Sequence, residues 1–352
     1  MQITKQTELH AMLQKAAEMH ASDAHCMVGR PPIFRINGEL IPQDDLPVFT
    51  EAKLQKNIDE ILSEEQRKRF QTERELDCSL AMPDGGRYRL NVFWERGNPA
   101  LAARYIPLVI PTLDDLFAPE AAYEFVKRES GFVLVTGPTG CGKSTLLAAM
   151  IQKINENDRR HIITLEDPIE FIHESKKSII AQREYGTDFI SFEEGLKHVL
   201  RQDPDVILIG EMRSLETIDA AITIAETGHL VFATLHTNSA PETVDRIVNA
   251  FPPNQQTQIR LQLAMVLAGV ISQILIPKVD GTLIAAHEVL VNNTAIANLI
   301  HESKTNQIQN VLYSSPEEHM NTLDQELRWL VQEGFITQKT AISFARNPDQ
   351  FK

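Results

Sequence analysis

Residues 131–150 read GFVLVTGPTGCGKSTLLAAM, and this stretch decides the fold. An apolar, β-branched run precedes a glycine-rich turn, a helical pattern follows it, and Gly137–Ser144 matches G-x-x-x-x-G-K-S in full. Glycines in such a loop allow backbone N–H groups to point inward around a phosphate. A helix that starts near Lys143 directs its positive dipole end at the same anion. The stretch therefore predicts a strand, a phosphate-binding loop (P-loop) and a helix.

Two residues of this loop have predicted chemical roles. In such a loop the Lys143 ammonium reaches the β- and γ-phosphate oxygens, and the Ser144 hydroxyl can coordinate Mg²⁺. The alternative is a chance match in a glycine-rich turn, which the correct flanking strand and helix disfavour. Cys141 is expected to be a small loop residue that thiol reagents could reach.

Acidic residues follow two of the downstream apolar runs. HIITLED places Glu166 and Asp167 after one predicted strand, and DVILIGE places Glu211 after another. Ligands bind at the carboxyl ends of strands in open parallel sheets. A P-loop enzyme needs a carboxylate near Mg²⁺ and a group that activates or orients water, so Glu166 and Glu211 are the candidates. The competing interpretation is that strand ends are acidic because loops contact water.

A third run, GHLVFATLH, covers residues 228–236 and has a histidine near each end. Seven residues of extended strand span about 23 Å, and an odd separation places the two side chains on opposite faces. One metal ion therefore cannot bind both His229 and His236. His236 is expected at the P-loop edge of the sheet, beside Glu211, whereas His229 is expected at the amino end, as a capping residue or at a subunit boundary.

The chain is predicted to contain two domains. Residues 1–106 mix helical patterns with short strand-like runs, which predicts a small α+β domain, with one helical stretch over 51–70. The linker is placed at 107–116, where two prolines flank a short apolar run. Residues 117–352 alternate apolar runs with helical patterns, which predicts an α/β domain with a parallel sheet. From about residue 255 onward the pattern is mostly helical.

Composition excludes several other classes of protein. A net charge of −14 and a pI of about 5.3 argue against a general binder of nucleic-acid backbones. The first 25 residues lack the apolar core of a signal peptide, and the apolar run Leu263–Ile271 is much shorter than the ~20 residues that span a bilayer. The three cysteines form no zinc motif or disulfide framework and indicate a reducing compartment.

Four blocks of sequence together resemble a known family. GPTGCGKST, ITLEDPIEFIHESKK, AQREYGTDFISFEEGLKHVLRQDPDVILIGEMR and AETGHLVFATLHTNSA are similar, in order and spacing, to the Walker A, Asp-box, Walker B and His-box motifs of the secretion ATPases of type II secretion, type IV pili and type IV secretion. The resemblance runs nearly end to end and favours the PilT-like retraction branch. It implies a PAS-like N-terminal domain, a RecA-like P-loop ATPase domain with a helical C-terminal part, and a ring-shaped homohexamer that binds ATP and Mg²⁺.

The resemblance also implies roles for individual residues. It makes Glu166, Glu211, His236 and His229 catalytic, with Ser144 and Glu211 at the metal, and leaves open which glutamate is the base. The residues implied in nucleotide binding are Gly137, Pro138, Thr139, Gly140, Cys141, Gly142, Lys143, Ser144 and Thr145. Arginines from neighbouring subunits are expected to complete the site. The candidates are Arg201 and Arg213, together with Arg89, Arg96, Arg104 and Arg183, each of which is also compatible with a surface ion pair.

The implied function is ATP-driven retraction of type IV pili, which produces twitching motility. The motor would lie in the cytoplasm, at the inner membrane, and act on a membrane platform protein, with other pilus motor ATPases as further partners. The chain has no long N-terminal extension and no four-cysteine module, as in the retraction branch. Residues 295–302, however, read AIANLIHE where that branch commonly has AIRNLIRE, so Ala297 and His301 replace two arginines.

Three alternatives remain open. The chain could drive a type II or type IV secretion or conjugation system, or be a low-activity regulatory paralogue of a retraction motor, which the altered AIANLIHE motif suggests. A RecA-type nucleic-acid motor is disfavoured by the acidic charge.

Overall fold

The computed structural model describes residues 7–36, 38–83, 86–106 and 109–351. The chain divides into two compact units, 1–109 and 110–352. Pro107 and Leu108, in the predicted linker, lie outside the described residues. Within the described ranges, no helix combines the length and the hydrophobicity that a membrane crossing requires.

The first unit is an antiparallel sheet with helices on one face. Its strand order is β3-β2-β1-β6-β5-β4. Leu13, Leu54 and Phe70, from its three helices, join one buried core with Phe34 and Leu90 of the sheet. In chain order its elements are α1 (Glu8–Glu18), β1 (Asp23–Met27), β2 (Ile33–Ile36), β3 (Glu39–Pro42), α2 (Glu51–Ile61), α3 (Glu64–Glu73), β4 (Glu75–Ala81), β5 (Arg87–Glu95) and β6 (Asn98–Ile106).

The single helix expected over 51–70 is wrong, because two helices occupy this stretch. Leu62, after α2, has an extended backbone with ψ of 142°. Ser63 then caps α3: its hydroxyl accepts from the backbone N–H of Gln66, and the Gln66 side chain accepts from the backbone N–H of Ser63. This reciprocal capping box satisfies two N–H groups that a new helix leaves unpaired, and it starts a second helix in a segment whose apolar spacing continues through the break.

The second unit has a seven-stranded sheet between two layers of helices. The strand order is β13-β12-β7-β11-β10-β8-β9, parallel throughout except for β13. Its elements are α4 (Glu120–Val126), β7 (Gly131–Thr136), α5 (Lys143–Asn157), β8 (His161–Glu166), β9 (Ile179–Glu184), α6 (Phe192–Val199), β10 (Val206–Ile209), α7 (Leu215–Glu226), β11 (Leu230–Leu235), α8 (Ala240–Asn249), α9 (Gln256–Val266), β12 (Leu267–Pro277), β13 (Leu283–Val291), α10 (Thr294–His301), α11 (Ile308–Ser314), α12 (Leu323–Gln332) and α13 (Gln338–Phe344).

Every residue of β7, β10 and β11 is buried, as the two-sided apolar runs predict for parallel strands covered by helices. One face of the sheet packs on α4 and α5, and the opposite face packs on α6 to α11. The α/β fold class with a parallel sheet is confirmed.

The prediction of a mostly helical chain beyond residue 255 is wrong in one part. Residues 267–291 form the antiparallel pair β12–β13, and β12 extends the parallel sheet beside β7. Within LAMVLAGVISQILIP the helix ends at Val266 and the strand begins at Leu267 without an intervening loop. A continuous apolar run does not distinguish a buried helix from a buried strand, which explains the error.

Gly269 makes the packing of β12 possible. A Cβ atom at this position would lie 2.2 Å from Phe125 Cζ on α4 and 2.4 Å from the Leu290 carbonyl oxygen on β13. The register of β12 against β7 also shifts between Leu267 and Gly269. The glycine therefore marks a bulge at which a helix approaches the sheet backbone.

We predict that Gly269→Ala lowers the free energy of unfolding by about 1–3 kcal/mol, because an added methyl group overpacks this contact. Gly195→Ala in α6 is the matched control. Its Cβ would meet nothing nearer than 3.3 Å, the Phe189 ring, so the loss of stability is expected to be smaller than that of Gly269→Ala. Denaturant unfolding of both variants measures the difference, and equal midpoints would contradict this account of the packing.

Candidate functional site

The P-loop connects β7 to α5 and is held from below by the sheet. The Gly137 N–H donates to the Leu235 carbonyl at the end of β11. Gly137 has φ of +141° and Gly142 has φ of +89°, a region that favours glycine. The Cys141 side chain is buried, and burial raises the pKa of its thiol. The expected accessibility of Cys141 to thiol reagents is therefore wrong, because its side chain lies beneath the loop rather than on it.

The Lys143 side chain curls back over its own loop. Its Nζ donates to the carbonyl oxygens of Gly137 and Pro138, each at 2.9 Å, and lies 3.5 Å from His236 Nδ1. Pro138, Thr139 and Gly140 are exposed at the loop tip. These hydrogen bonds hold the Lys143 ammonium group inside the P-loop, next to the exposed backbone of the loop tip.

His236 connects Lys143 to Glu211. Its Nε2 lies 3.1 Å from Glu211 Oε1, while Nδ1 faces the lysine. The three side chains come from the ends of β7, β11 and β10, which are adjacent in the sheet. The structure therefore brings together the P-loop lysine, one His-box histidine and the Walker B glutamate, as the strand argument predicted.

Arg213 extends this line of charges to the next strand end. Its guanidinium lies 2.9 Å from Glu211 Oε2 and 3.9 Å from Asp167 Oδ2. Burial, the largest single influence on Glu211, acts to raise its pKa, but the hydrogen bonds and charges of Arg213 and His236 together lower the pKa. Glu211 is consequently held as a carboxylate.

Glu166, the other candidate glutamate, has different surroundings. It accepts a hydrogen bond from the Thr164 hydroxyl at 2.6 Å and one from Gln182 Nε2 at 3.2 Å. Burial raises the pKa of Glu166 to about 7, and these two donors offset only part of the effect. Gln182 lies on β9, a strand that the sequence analysis did not predict, so its contribution was missed.

His229 and Arg201 are not brought to this edge. His229 directly precedes β11, and its Nδ1 lies 3.0 Å from the Thr227 hydroxyl and 3.2 Å from the Ile224 carbonyl, at the end of α7. Arg201 is exposed in a 3-10 turn before the amino end of β10. The contacts of His229 are those of a capping residue in this chain, and the catalytic roles of both residues stay predictions.

Three of the other candidate arginines make contacts close to their own strands. Arg104 pairs with Asp23 at 2.8 Å, and Arg96 pairs with its neighbour Glu95 at 3.2 Å. Arg183 donates to the Asp188 carbonyl.

The loop after His236 is supported from the far end of the chain. Arg346 donates to the Asn238 carbonyl at 2.8 Å and pairs at 2.9 Å with Glu288, a fully buried residue of β13. Glu288 also accepts from the backbone N–H of Ala240, the first residue of α8. Nothing local in the sequence indicates this support, because Arg346 and Asn238 are 108 residues apart.

A pocket of about 400 Å³ opens beside the P-loop. Gly142 and Thr145 line its loop side, and Phe117, Leu275 and Leu283 give the remainder an apolar character. Phe117 is half exposed and makes an edge-on contact with Phe335. The pocket is therefore a concave apolar surface next to a phosphate site.

The sheet, the P-loop and the carboxylates at adjacent strand ends define a nucleotide-binding P-loop ATPase of the RecA-like class. Residues 117–333 match the family model "Type II/IV secretion system protein". The chain belongs to this family.

Two proteins of Pseudomonas aeruginosa are similar over almost the whole chain. The "Type IV pilus retractation ATPase PilT" is 42% identical over 344 residues, which are 98% of this chain and 100% of that protein. The "Type IV pilus ATPase PilU" is 38% identical over 346 residues, which are 98% of this chain and 90% of that protein. A crystal structure of the pilus retraction motor PilT with bound ADP is 44% identical and superimposes with a TM-score of 0.91, covering 97% of this chain and 98% of the other.

We predict that ATP hydrolysis rises with pH through about 7, because the Glu166 carboxylate forms only above its raised pKa. The Thr164 hydroxyl stabilises the charged form of Glu166 by donating a hydrogen bond to it. Thr164→Val is therefore expected to raise the pKa of Glu166 further and to move the rise in ATP hydrolysis to higher pH. ATP itself titrates in the same range, but the substitution leaves ATP unchanged, so the displacement isolates Glu166. Thr305→Val, which removes a buried hydroxyl that donates to Asp245, is the control. Profiles that coincide would remove Glu166 as the titrating group.

Proposed function

We propose that this protein is an ATP-hydrolysing motor that powers type IV pilus retraction. One observation carries the proposal: Lys143, His236 and Glu211 form a continuous series of contacts at the P-loop. The series lies in a chain that is similar to PilT from end to end. The ADP in the PilT crystal structure supports nucleotide as the ligand.

The P-loop would hold the phosphates of ATP through its backbone N–H groups and through Lys143. Mg²⁺ fits the remaining donors, because the Ser144 hydroxyl and the Glu211 carboxylate offer hard oxygen ligands at this edge. No group of three or more His, Cys, Asp or Glu side chains among the described residues is arranged as a metal cage. Mg²⁺ commonly binds through one or two carboxylates together with substrate phosphates, and when bound it would neutralise phosphate charge.

The surroundings of Glu166 and Glu211 suit them to two different roles, a general base and a metal ligand. A general base is most effective when its pKa is near the working pH, and the raised pKa of Glu166 fits that role for the attacking water. Glu211, whose pKa is lowered, fits an oxygen ligand that stays charged. His236 contacts both Lys143 and Glu211, so a change in the phosphates bound at Lys143 would alter the position of His236 and its contact with Glu211. The pocket lined by Phe117 and Leu275 would take the nucleobase.

The assembly is part of the same proposal. A homohexamer would allow arginines of one subunit to reach the nucleotide of the next, and Arg213 is the candidate already at this edge in the same chain. His229 and Arg201, at the opposite edge, would then act only if a neighbouring subunit approached them. We further propose that the motor works in the cytoplasm, at the inner membrane, on a platform protein.

Lys143→Ala is expected to abolish ATP hydrolysis and to leave cells piliated but unable to retract, because it removes the ammonium group that contacts the phosphates. Lys153→Ala, an exposed lysine of the same helix, should retain both functions. Phosphate release from the purified proteins and twitching of complemented deletion strains are the measurements. A Lys143→Ala strain that still retracts pili would contradict the proposal.

Glu211→Gln should bind ADP but turn over ATP at least about a hundredfold more slowly. The neutral amide of glutamine cannot balance the positive charge of Mg²⁺ at the site, as the Glu211 carboxylate would. Glu216→Gln, which is close in sequence but at the exposed start of α7, is expected to hydrolyse ATP normally. Turnover together with equilibrium binding of a fluorescent ADP separates the two steps. Normal turnover by the Glu211 variant would remove Glu211 from the site.

A second candidate is a low-activity paralogue that modulates another motor. Ala297 and His301 lie on α10, one partly and one fully exposed, while Ile296 and Ile300 pack into the core. Ala297 packs against the core of the second unit, whereas His301 is exposed at the end of the helix. Turnover of the purified protein alone decides between the two, since negligible activity that appears only with a second motor would favour the paralogue.

A further inference from the structure

A series of buried polar side chains connects the P-loop to α12. Gln273 Nε2 on β12 donates to the Cys141 carbonyl, and Gln273 Oε1 lies 3.2 Å from His287 Nε2 on β13. His287 Nδ1 lies 3.8 Å from Glu326 Oε1 on α12. Gln273 and His287 are only 4% and 1% exposed, so water does not compete for these contacts. We refer to Gln273, His287 and Glu326 as the relay.

The backbone places the relay directly under the nucleotide site. Gln273 and His287 are paired across the strands, and the preceding residue of β12, Ser272, pairs with Thr136 at the end of β7. A Cβ atom on Gly137 would lie 2.1 Å from the Gln273 carbonyl oxygen, and one on Gly142 would lie 2.8 Å from Gln273 Nε2. Gln273 therefore contacts the loop at its first glycine, Gly137, and again at Gly142, just before Lys143.

Donor and acceptor chemistry fixes the orientation of the relay. The Cys141 carbonyl only accepts, so the Gln273 amide nitrogen must face it, and the Gln273 oxygen must face His287. His287 Nε2 then carries the proton of that contact. Each hydrogen bond in such a buried series polarises the next one. A change in the contact between His287 and Glu326 would therefore alter the hydrogen bond at the Cys141 carbonyl.

The link between His287 and Glu326 is the adjustable contact. His287 Nδ1 is buried without a hydrogen bond, and 3.8 Å exceeds hydrogen-bond distance. The Glu326 side chain is 20% exposed, and its other oxygen, Oε2, accepts a long hydrogen bond of 3.5 Å from Asn321 Nδ2. The start of α12 is nevertheless held in place, because Asn321 donates to the His287 carbonyl and pairs with Val289. A small movement of Glu326 would close or open this contact without undocking the helix.

We propose that Gln273 and His287 are positioning residues that hold the P-loop backbone at Cys141, and that Glu326 acts on nucleotide affinity through them. The inference rests on the proposed nucleotide site. It adds that a residue of the C-terminal helix α12 changes the affinity of that site for nucleotide. A purely structural role would require only that the buried polar groups be satisfied, and it would not transmit a change at Glu326 to the loop.

Glu326→Gln tests the proposal because it keeps the shape of the side chain and removes its charge. It is expected to weaken binding of a fluorescent ADP about three- to tenfold, the effect of one hydrogen bond in the loop. The melting temperature should stay within about 2 °C of that of the unaltered protein. Glu333→Gln, an exposed glutamate that follows the same helix, is the matched control and should bind ADP normally.

The route through His287 is tested in a second background. In His287→Gln the amide nitrogen replaces Nε2 and keeps the contact with Gln273, but the group that faces Glu326 is gone. Adding Glu326→Gln to this variant should then change ADP binding no further. If His287→Gln does not fold, Gln273→Met, which cuts the contact with Cys141, serves as the background with the same expected outcome.

The results separate this proposal from the proposed function. ADP binding by the unaltered protein that is lost in Lys143→Ala supports the nucleotide site alone. Equal affinities of the Glu326 and Glu333 variants would overturn the relay, as would an undiminished effect of Glu326→Gln in the second background.

Discussion

Parallel pairing of β7, β11, β10 and β8 is the constraint on which the site depends. Parallel strands end at the same edge of a sheet, at steps of about 4.8 Å. At or after the carboxyl ends of these four strands lie Lys143, His236, Glu211 and Glu166, in that order across the sheet. Neighbouring strands bring the first three side chains into contact. The fourth, Glu166, lies one strand further on. Arg213 pairs with Glu211 and lies near Asp167, the residue that follows Glu166.

Glu166 and Glu211 are the same residue type, but their surroundings shift their pKa values in opposite directions. Glu211 lies between a guanidinium and an imidazole, whereas the side chains that donate hydrogen bonds to Glu166 are a hydroxyl and an amide. Partial burial disfavours charge on both carboxyl groups, but only Glu211 has a neighbouring cation close enough to reverse the effect. The contrast depends on which strand ends are adjacent in the sheet, and the local sequence around each glutamate does not contain that information.

Local patterns predicted much of this molecule, and long-range contacts account for what they missed. The P-loop, the buried parallel strands and the strand-end placement of His236 and Glu211 follow from motifs and from runs of a few residues, and the family resemblance is confirmed. The strands β9, β12 and β13 were missed, and so was Gln182. An edge strand of mixed polarity and an apolar run fused to a helix carry no clear period. Gln273, Glu288 and Arg346 reach the site only through sheet pairing and tertiary packing. The local sequence does not divide the roles of Glu166 and Glu211 for the same reason.

The contacts of Arg346 also bear on how the protein is made. The carbonyl that Arg346 binds, on Asn238 after the His box, is synthesised 108 residues earlier, and the buried Glu288 carboxylate lacks its ion-pair partner until Arg346 follows. During translation the P-loop, β10 and β11 leave the ribosome well before that arginine. The nascent chain can therefore build its sheet while the His-box loop still lacks this support. The contacts of Arg346 with the His-box loop and with Glu288 can therefore form only after residue 346 has emerged.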